Sequence, residues 1–232
     1  TSADPGPAMS LAASAARELG LPAGTPVLPG IMDTSAAVLL RGARNRLLFN
    51  VSGTTDVLAL CVDDPVPHEQ LLTRAVGVGR KWMAVSTIAS TGTTLSWLHR
   101  TLFSELPEPA FYRVVRRALR ASPGGVSFEP YLAGDRMSIE QRTADFHGLT
   151  LSTTREQMLA AALDAMARAS AARIPLFLGV YGRISREVTV TGGVGEAIAQ
   201  VLHRDWPGRW RFRPESEATL RGLYVVAQRA RK

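Results

Sequence analysis

Apolar positions recur at two spacings along this chain, and the switches between them mark the elements. Residues 9–19 carry apolar side chains at helical spacing and stop at Gly20, a residue suited to the left-handed end of a helix. Leu21-Pro22-Ala23-Gly24-Thr25-Pro26 reads as a turn. Asp33 stands at the N-cap position of a short helix, Ala36 to Arg41, closed by Gly42. From Arg46 to Val62 two apolar runs flank Ser52-Gly53-Thr54-Thr55, the pattern of a β-hairpin with a glycine-containing turn. Further strands are expected over 71–77 and 82–88. Thr91-Gly92-Thr93-Thr94 then opens an amphipathic helix from Leu95 to Phe103, and a second helix spans 108–121. Ser122-Pro123-Gly124-Gly125 breaks the pattern, and Phe128 to Arg136 has no period. An alanine-rich helix is predicted over 154–172, followed by strand 187–191, helix 194–204, strand 209–213 and helix 215–229. A meander in the first half and strand–helix alternation in the second predict an α/β fold with a partly antiparallel sheet.

Composition narrows the class. The 232 residues are 46% hydrophobic and 20% charged, enough to bury a real core. No run approaches the ~20 apolar residues of a membrane helix, so no membrane partner is expected. Thr1-Ser2-Ala3-Asp4-Pro5 has no initiator Met and none of the features of a signal peptide, and reads as a chain that begins partway through a longer one. Cys61 is alone, which predicts no intrachain disulfide and a cytoplasmic setting. Net charge is +7, carried by arginine apart from Lys81 and Lys232. Arg113, Arg116, Arg117 and Arg120 share one helix face, and Arg209, Arg211 and Arg213 alternate with Trp210 and Phe212. Both read as solvated faces, so nucleic acid is not expected as a partner. His68, His99, His147 and His203 share no metal-ligand spacing, and neither a serine-nucleophile elbow nor a P-loop occurs.

The chemistry gathers at Val188-Thr189-Val190-Thr191-Gly192-Gly193-Val194-Gly195-Glu196, a strand that closes on glycines and opens a helix. Such a turn lets a nucleotide approach the backbone and the unpaired N–H groups of a helix start. Two readings fit. In a dinucleotide-binding unit, Gly193-x-Gly195 takes the pyrophosphate and Glu215, roughly 20 residues on, the ribose. Ile198 then occupies the third glycine position, and a single helix follows Glu215. In a two-domain phosphotransferase the same turn passes adenosine, and a separate hairpin cradles phosphate. Ser52-Gly53-Thr54-Thr55 suits that task through exposed N–H groups and threonine hydroxyls. Taken singly, the hairpin is an ordinary turn and Asp33 an ordinary helix cap.

Taken in order, these pieces resemble the FGGY family of carbohydrate kinases. Gly20-Leu21-Pro22-Ala23-Gly24-Thr25-Pro26-Val27 with Gly30-Ile31-Met32-Asp33 is similar to the segment ending in the family's catalytic aspartate. Val51 to Thr55 resembles its second phosphate motif, and Thr91 to Leu98 the loop and helix flanking ATP. Pro130-Tyr131-Leu132-Ala133-Gly134-Asp135-Arg136, with Phe146-His147-Gly148-Leu149, resembles the loop before its long helix. Thr191-Gly192-Gly193-Val194 matches the adenosine motif, and Arg213-Pro214-Glu215 with Glu217-Ala218-Thr219-Leu220 the closing helix.

The resemblance implies an α/β, ribonuclease H-like (actin-like ATPase) domain, a mixed sheet flanked by helices. It implies transfer of the ATP γ-phosphoryl group to a ketose or polyol hydroxyl, with ATP and Mg2+ as cofactors. Asp33 would be the general base, Gly53, Thr54 and Thr55 would hold phosphates, and Gly92, Gly192, Gly193 and Val194 would line the nucleotide; no metal ligand is expected in this chain. Residues 1–45 would close the amino-terminal domain and 46–232 form the ATP-binding domain. The first phosphate loop, the magnesium carboxylates and most sugar contacts would belong to the missing amino-terminal kinase domain, leaving the isolated chain inactive. Three positions depart from the family pattern: Asp56 puts a carboxylate beside the phosphate turn, Asp135 replaces a glutamate, and Arg221 stands where a small residue is expected. A nicotinamide-dependent oxidoreductase fragment and a non-catalytic nucleotide-binding relative stay as alternatives, and a homodimer stays open. The kinase reading requires the turns at Gly53 and Gly192 to share one groove that faces Asp33.

Overall fold

A computed structural model describes residues 9–77, 79–135, 139–192 and 196–229. The chain opens with β1 (Met9–Ser10), α1 (Ala13–Leu19) and β2 (Pro26–Val27), a small unit in which β1 and β2 pair antiparallel. The helix expected from residue 9 thus starts later, because Met9 and Ser10 bond across to the 24–27 stretch, with Leu11 N donating to Thr25 O at 2.9 Å. Next come α2 (Asp33–Leu40), β3 (Leu48–Ser52), β4 (Asp56–Val62), β5 (Leu72–Ala75), β6 (Trp82–Ile88), α3 (Gly92–Leu102) and α4 (Glu108–Ala118). On α4 Phe111, Val114, Val115 and Ala118 are buried, while Arg113, Arg116, Arg117 and Arg120 line the exposed side. Phe128 and Phe146 meet in the short ladder of β7 (Ser127–Glu129) and β8 (Asp145–His147), inside the stretch that carries no sequence period.

The long helix α5 (Arg155–Tyr181) starts at a capping box, where Thr154 accepts from Gln157 N and Gln157 returns a bond to Thr154 N. It runs past the expected end at residue 172, through Pro175. An interior proline costs about 3 kcal/mol, but Ile174, Phe177 and Tyr181 are buried against the sheet, and that burial outweighs the lost bond. The chain ends with β9 (Glu187–Thr191), α6 (Glu196–His203), β10 (Arg211–Pro214) and α7 (Ala218–Arg229).

Six strands form one mixed sheet in the order β10-β9-β3-β4-β6-β5. β9 lies parallel to both β3 and β10, whereas β3–β4, β4–β6 and β6–β5 are antiparallel. The carboxyl ends of β3, β6, β9 and β10 therefore share one edge, where ligands bind in open α/β sheets. One face of the sheet packs Phe49, Cys61 and Met83 against Val38 and Leu39 of α2 and Val226 of α7. Cys61 is fully buried, and burial pushes its thiol up to about 11. The other face packs Leu48, Leu58 and Leu60 against α5, and a third cluster joins α3, α4, α5 and α6.

Close approach of α2 and α7 depends on Gly222, where an added Cβ would drive into the carbonyl of Ala36. Arg221, by contrast, points outward and pairs with Glu215 at 2.5 Å. The small residue that this contact needs is thus supplied by Gly222.

Candidate functional site

Three turns meet at the carboxyl edge of the sheet. The hairpin turn between β3 and β4 is closed by Gly53 N donating to Thr55 O at 2.8 Å. The start of α3 docks on it, with Thr91 N donating to Thr54 O at 3.0 Å and Gly92 N to Gly53 O at 3.3 Å. A Cβ on Gly92 would lie 2.6 Å from the Gly53 carbonyl, so no larger residue fits at this junction. On the other flank Gly192 follows β9 with φ 122, and a Cβ there would overlap the backbone of Ser52. Gly53, Thr54, Thr55, Gly92 and Gly192 are thus brought together, with Thr54 exposed. Gly193 and Val194 lie outside the described residues.

Asp33 is the first residue of α2 rather than its cap; Met32 holds the cap position without a side-chain bond. The Asp33 carboxylate is exposed and folds onto its own helix start, Oδ1 accepting from Thr34 N at 2.6 Å. Its carbonyl lies 3.5 Å from Thr219 Oγ1 in the first turn of α7. Since α7 follows directly on the carboxyl end of β10, Asp33 lies at the same end of the molecule as the three turns.

Asp56, which follows the hairpin turn, points into the core rather than out beside the turn. It is fully buried, and its carboxylate is bound by the Arg173 guanidinium, Ser52 Oγ and Asn50 Nδ2, the last at 2.7 Å. Asn50 Oδ1 in turn accepts from His203 Nε2 at 2.8 Å. Ser170 Oγ accepts from Arg173 Nη2 at 2.8 Å and from Trp206 Nε1 at 2.9 Å. Burial pushes His203 down to about 4, partly offset by Asp56 and reinforced by Arg173, so the ring is neutral near pH 7. Asn50, Arg173, Ser170, His203 and Trp206 were not singled out as site residues from the sequence. Arg173 falls just past residue 172, the expected end of the alanine-rich helix, so no sequence pattern marked it.

His203 also stacks on Phe212 at 4.2 Å and lines a cleft of about 770 Å3 between α6 and β10, beside Gly192, Ala199, Glu215 and Ser216. Glu215 is engaged by Arg221 and sits at the end of β10, which is an edge strand. The strand–helix–strand unit of the dinucleotide reading is therefore present, but the parallel sheet does not continue beyond it. Asp135 pairs with Arg142 at 3.8 Å. Among the described residues no group of three or more His, Cys, Asp or Glu side chains is placed to hold a metal ion.

A mixed sheet with helices on both faces and three glycine turns at its carboxyl edge defines an α/β domain. Solved structures share this fold. A xylulose kinase from Rhodospirillum rubrum superposes with a TM-score of 0.75 at 22% identity, over 95% of this chain and 47% of that one. A glycerol kinase from Plasmodium falciparum, solved with ADP, gives 0.71 at 16% identity, over 90% of this chain and 44% of its own. In sequence, the L-fuculokinase of Salmonella typhi is 30% identical over 176 residues, 69% of this chain. The chain spans only about a third of that relative, 34% of its length. Residues 48–198 match the model of the C-terminal domain of the FGGY family of carbohydrate kinases. The chain belongs to that family.

Proposed function

We propose that this chain is the nucleotide-binding portion of an ATP-dependent carbohydrate kinase whose acceptor is a ketose or polyol hydroxyl. The observation that carries the reading is the meeting of the turns at Gly53, Gly92 and Gly192 on one edge of a family-matched domain. Gly92 and Gly192 admit no side chain, so a ligand can approach the backbone closely there, and the exposed Thr54 adds a hydroxyl, which fits a nucleotide.

ATP supplies the phosphoryl group and its leaving oxygen, with Mg2+ as counter-ion. Gly53, Thr54 and Thr55 orient the phosphates, through the N–H groups and hydroxyls of the two threonines, and the helix dipole of α3 favours negative charge beside them. Gly92 and Gly192 line the nucleoside. Most of the rate gain comes from this positioning. The Asp33 carboxylate accepts the proton of the acceptor hydroxyl as its oxygen bonds to phosphorus. Residues 1–45 carry that base, with α2 packed on the sheet of residues 46–232, which hold the nucleotide. The magnesium carboxylates and most sugar contacts belong to the amino-terminal domain, so the 232-residue chain is catalytically silent. The cytoplasm is its expected compartment; among the described residues no helix is long and apolar enough to cross a membrane.

Calorimetric titration of the chain with MgATP, MgADP and NAD tests the nucleotide class. Adenine nucleotide binding without NAD binding is expected, and the reverse preference, or no nucleotide binding at all, overturns the reading. In the full-length protein Asp33→Ala is expected to lower sugar-dependent turnover by about 100-fold or more; unchanged turnover removes the base assignment. Sugar-dependent ATP turnover by the isolated chain would refute its silence.

A further inference from the structure

The hairpin turn at Gly53 is held from beneath by a buried charge pair. Ser52 and Asp56, the residues on either side of Gly53-Thr54-Thr55, are both fully buried and bonded to each other. A buried carboxylate is strongly unfavourable unless paired and hydrogen-bonded. Arg173, itself 5% exposed, supplies the pairing from the middle of α5, 117 residues away in sequence. Asn50 adds a bond to Asp56 and links it to His203 on α6, and Ser170 ties the guanidinium to Trp206. Stability alone does not call for such a group, since apolar residues of similar volume serve as well or better in a core. What an ion pair adds is a fixed geometry at one place, and here that place is the point where β3 hands over to β4.

We propose that Asp56 and Arg173 are positioning residues for the phosphate turn. The pair locks the strand ends so that the Gly53 and Thr54 carbonyls meet the N–H groups of Gly92 and Thr91. It also balances the Asp56 charge internally, leaving the turn without a net negative neighbour that would repel phosphate. The second role rests on the nucleotide reading above; the first does not.

The test compares the wild-type chain with Arg173→Lys, Asp56→Asn and the double variant Asp56→Asn/Arg173→Met. Residue-resolved hydrogen exchange is read at Gly53, Thr91 and Gly92, with thermal melting as a control and MgATP affinity as a separate arm. The double variant, which leaves no orphaned charge, is expected to melt close to wild type. Its three turn amides should exchange about tenfold faster while the β3–β4 ladder is unchanged. Arg173→Lys keeps the charge and should restore much of the protection. MgATP affinity is expected to fall about tenfold in the double variant. Unchanged exchange at the three amides, or a uniform rise across the sheet, overturns the positioning role. If the double variant does not fold, Asp56→Asn alone is judged by the same criterion. If wild type binds no ATP, the nucleotide reading fails while the exchange arm still decides this one.

Discussion

The hairpin turn at Gly53 and the strand–helix turn at Gly192 sit side by side on the same edge, yet they are secured by different physics. The first is anchored by charge and hydrogen bonding, through Asp56, Arg173, Asn50 and Ser52. The second is held by steric exclusion, through a glycine at φ 122 pressed on the Ser52 backbone. It borders an open cleft and the edge strand β10. On the nucleotide reading proposed above, a turn that contacts phosphate gains from rigidity, whereas a turn beside an open cleft can leave its far side free for a ligand.

The largest way to break this contrast is Arg173→Met alone. It strands a buried carboxylate and should cost about 3–5 kcal/mol in denaturant unfolding. A loss below about 1 kcal/mol would mean that the hairpin turn is not held by charge. Gly192→Ala comes next. It combines an unfavourable φ with overlap on Ser52 and should cost about 2–4 kcal/mol; a neutral result would show that the second turn is not sterically fixed. The third test is acidity. The unfolded chain protonates His203 near pH 6.5, whereas the folded ring stays neutral down to about 4, so unfolding takes up a proton between these values. The contribution is intact above about 6.5 and is lost as pH falls toward 4, by roughly 2–3 kcal/mol. His203→Gln should flatten that slope. Smallest is Thr154→Ala at the far end of α5, expected to cost about 1 kcal/mol and to leave both turns untouched. A change at either turn would show that α5 transmits strain along its length.

Much of the site could be read in the sequence because its parts are local. Glycines between apolar runs announce turns, and the order of Gly53, Gly92 and Gly192 fixed which turns belong together. The hairpin and the final strand–helix alternation followed from the same local patterns. What stayed hidden depends on distant partners. Asp56 looked like a charge set against phosphate, because only the fold brings Arg173 to it. The helix expected over 154–172 runs on to Tyr181 through Pro175, because local pattern ignores the burial of Phe177 and Tyr181. Arg221 looked obstructive because a one-residue offset separates it from Gly222, which makes the close contact with α2. Ile198, which would crowd a dinucleotide turn, is instead a buried member of the helical layer.

The lone thiol has a practical bearing on every variant above. Cys61 is the penultimate residue of β4, closed off from water and held protonated by its surroundings. A thiol reagent can reach it only when the central strand opens, since reaction needs both access and the thiolate. Labelling rate at this one sulfur therefore gauges global opening without any added probe. Set beside exchange at Gly53 and Gly92, it separates a loosened edge from a failing core in the same sample.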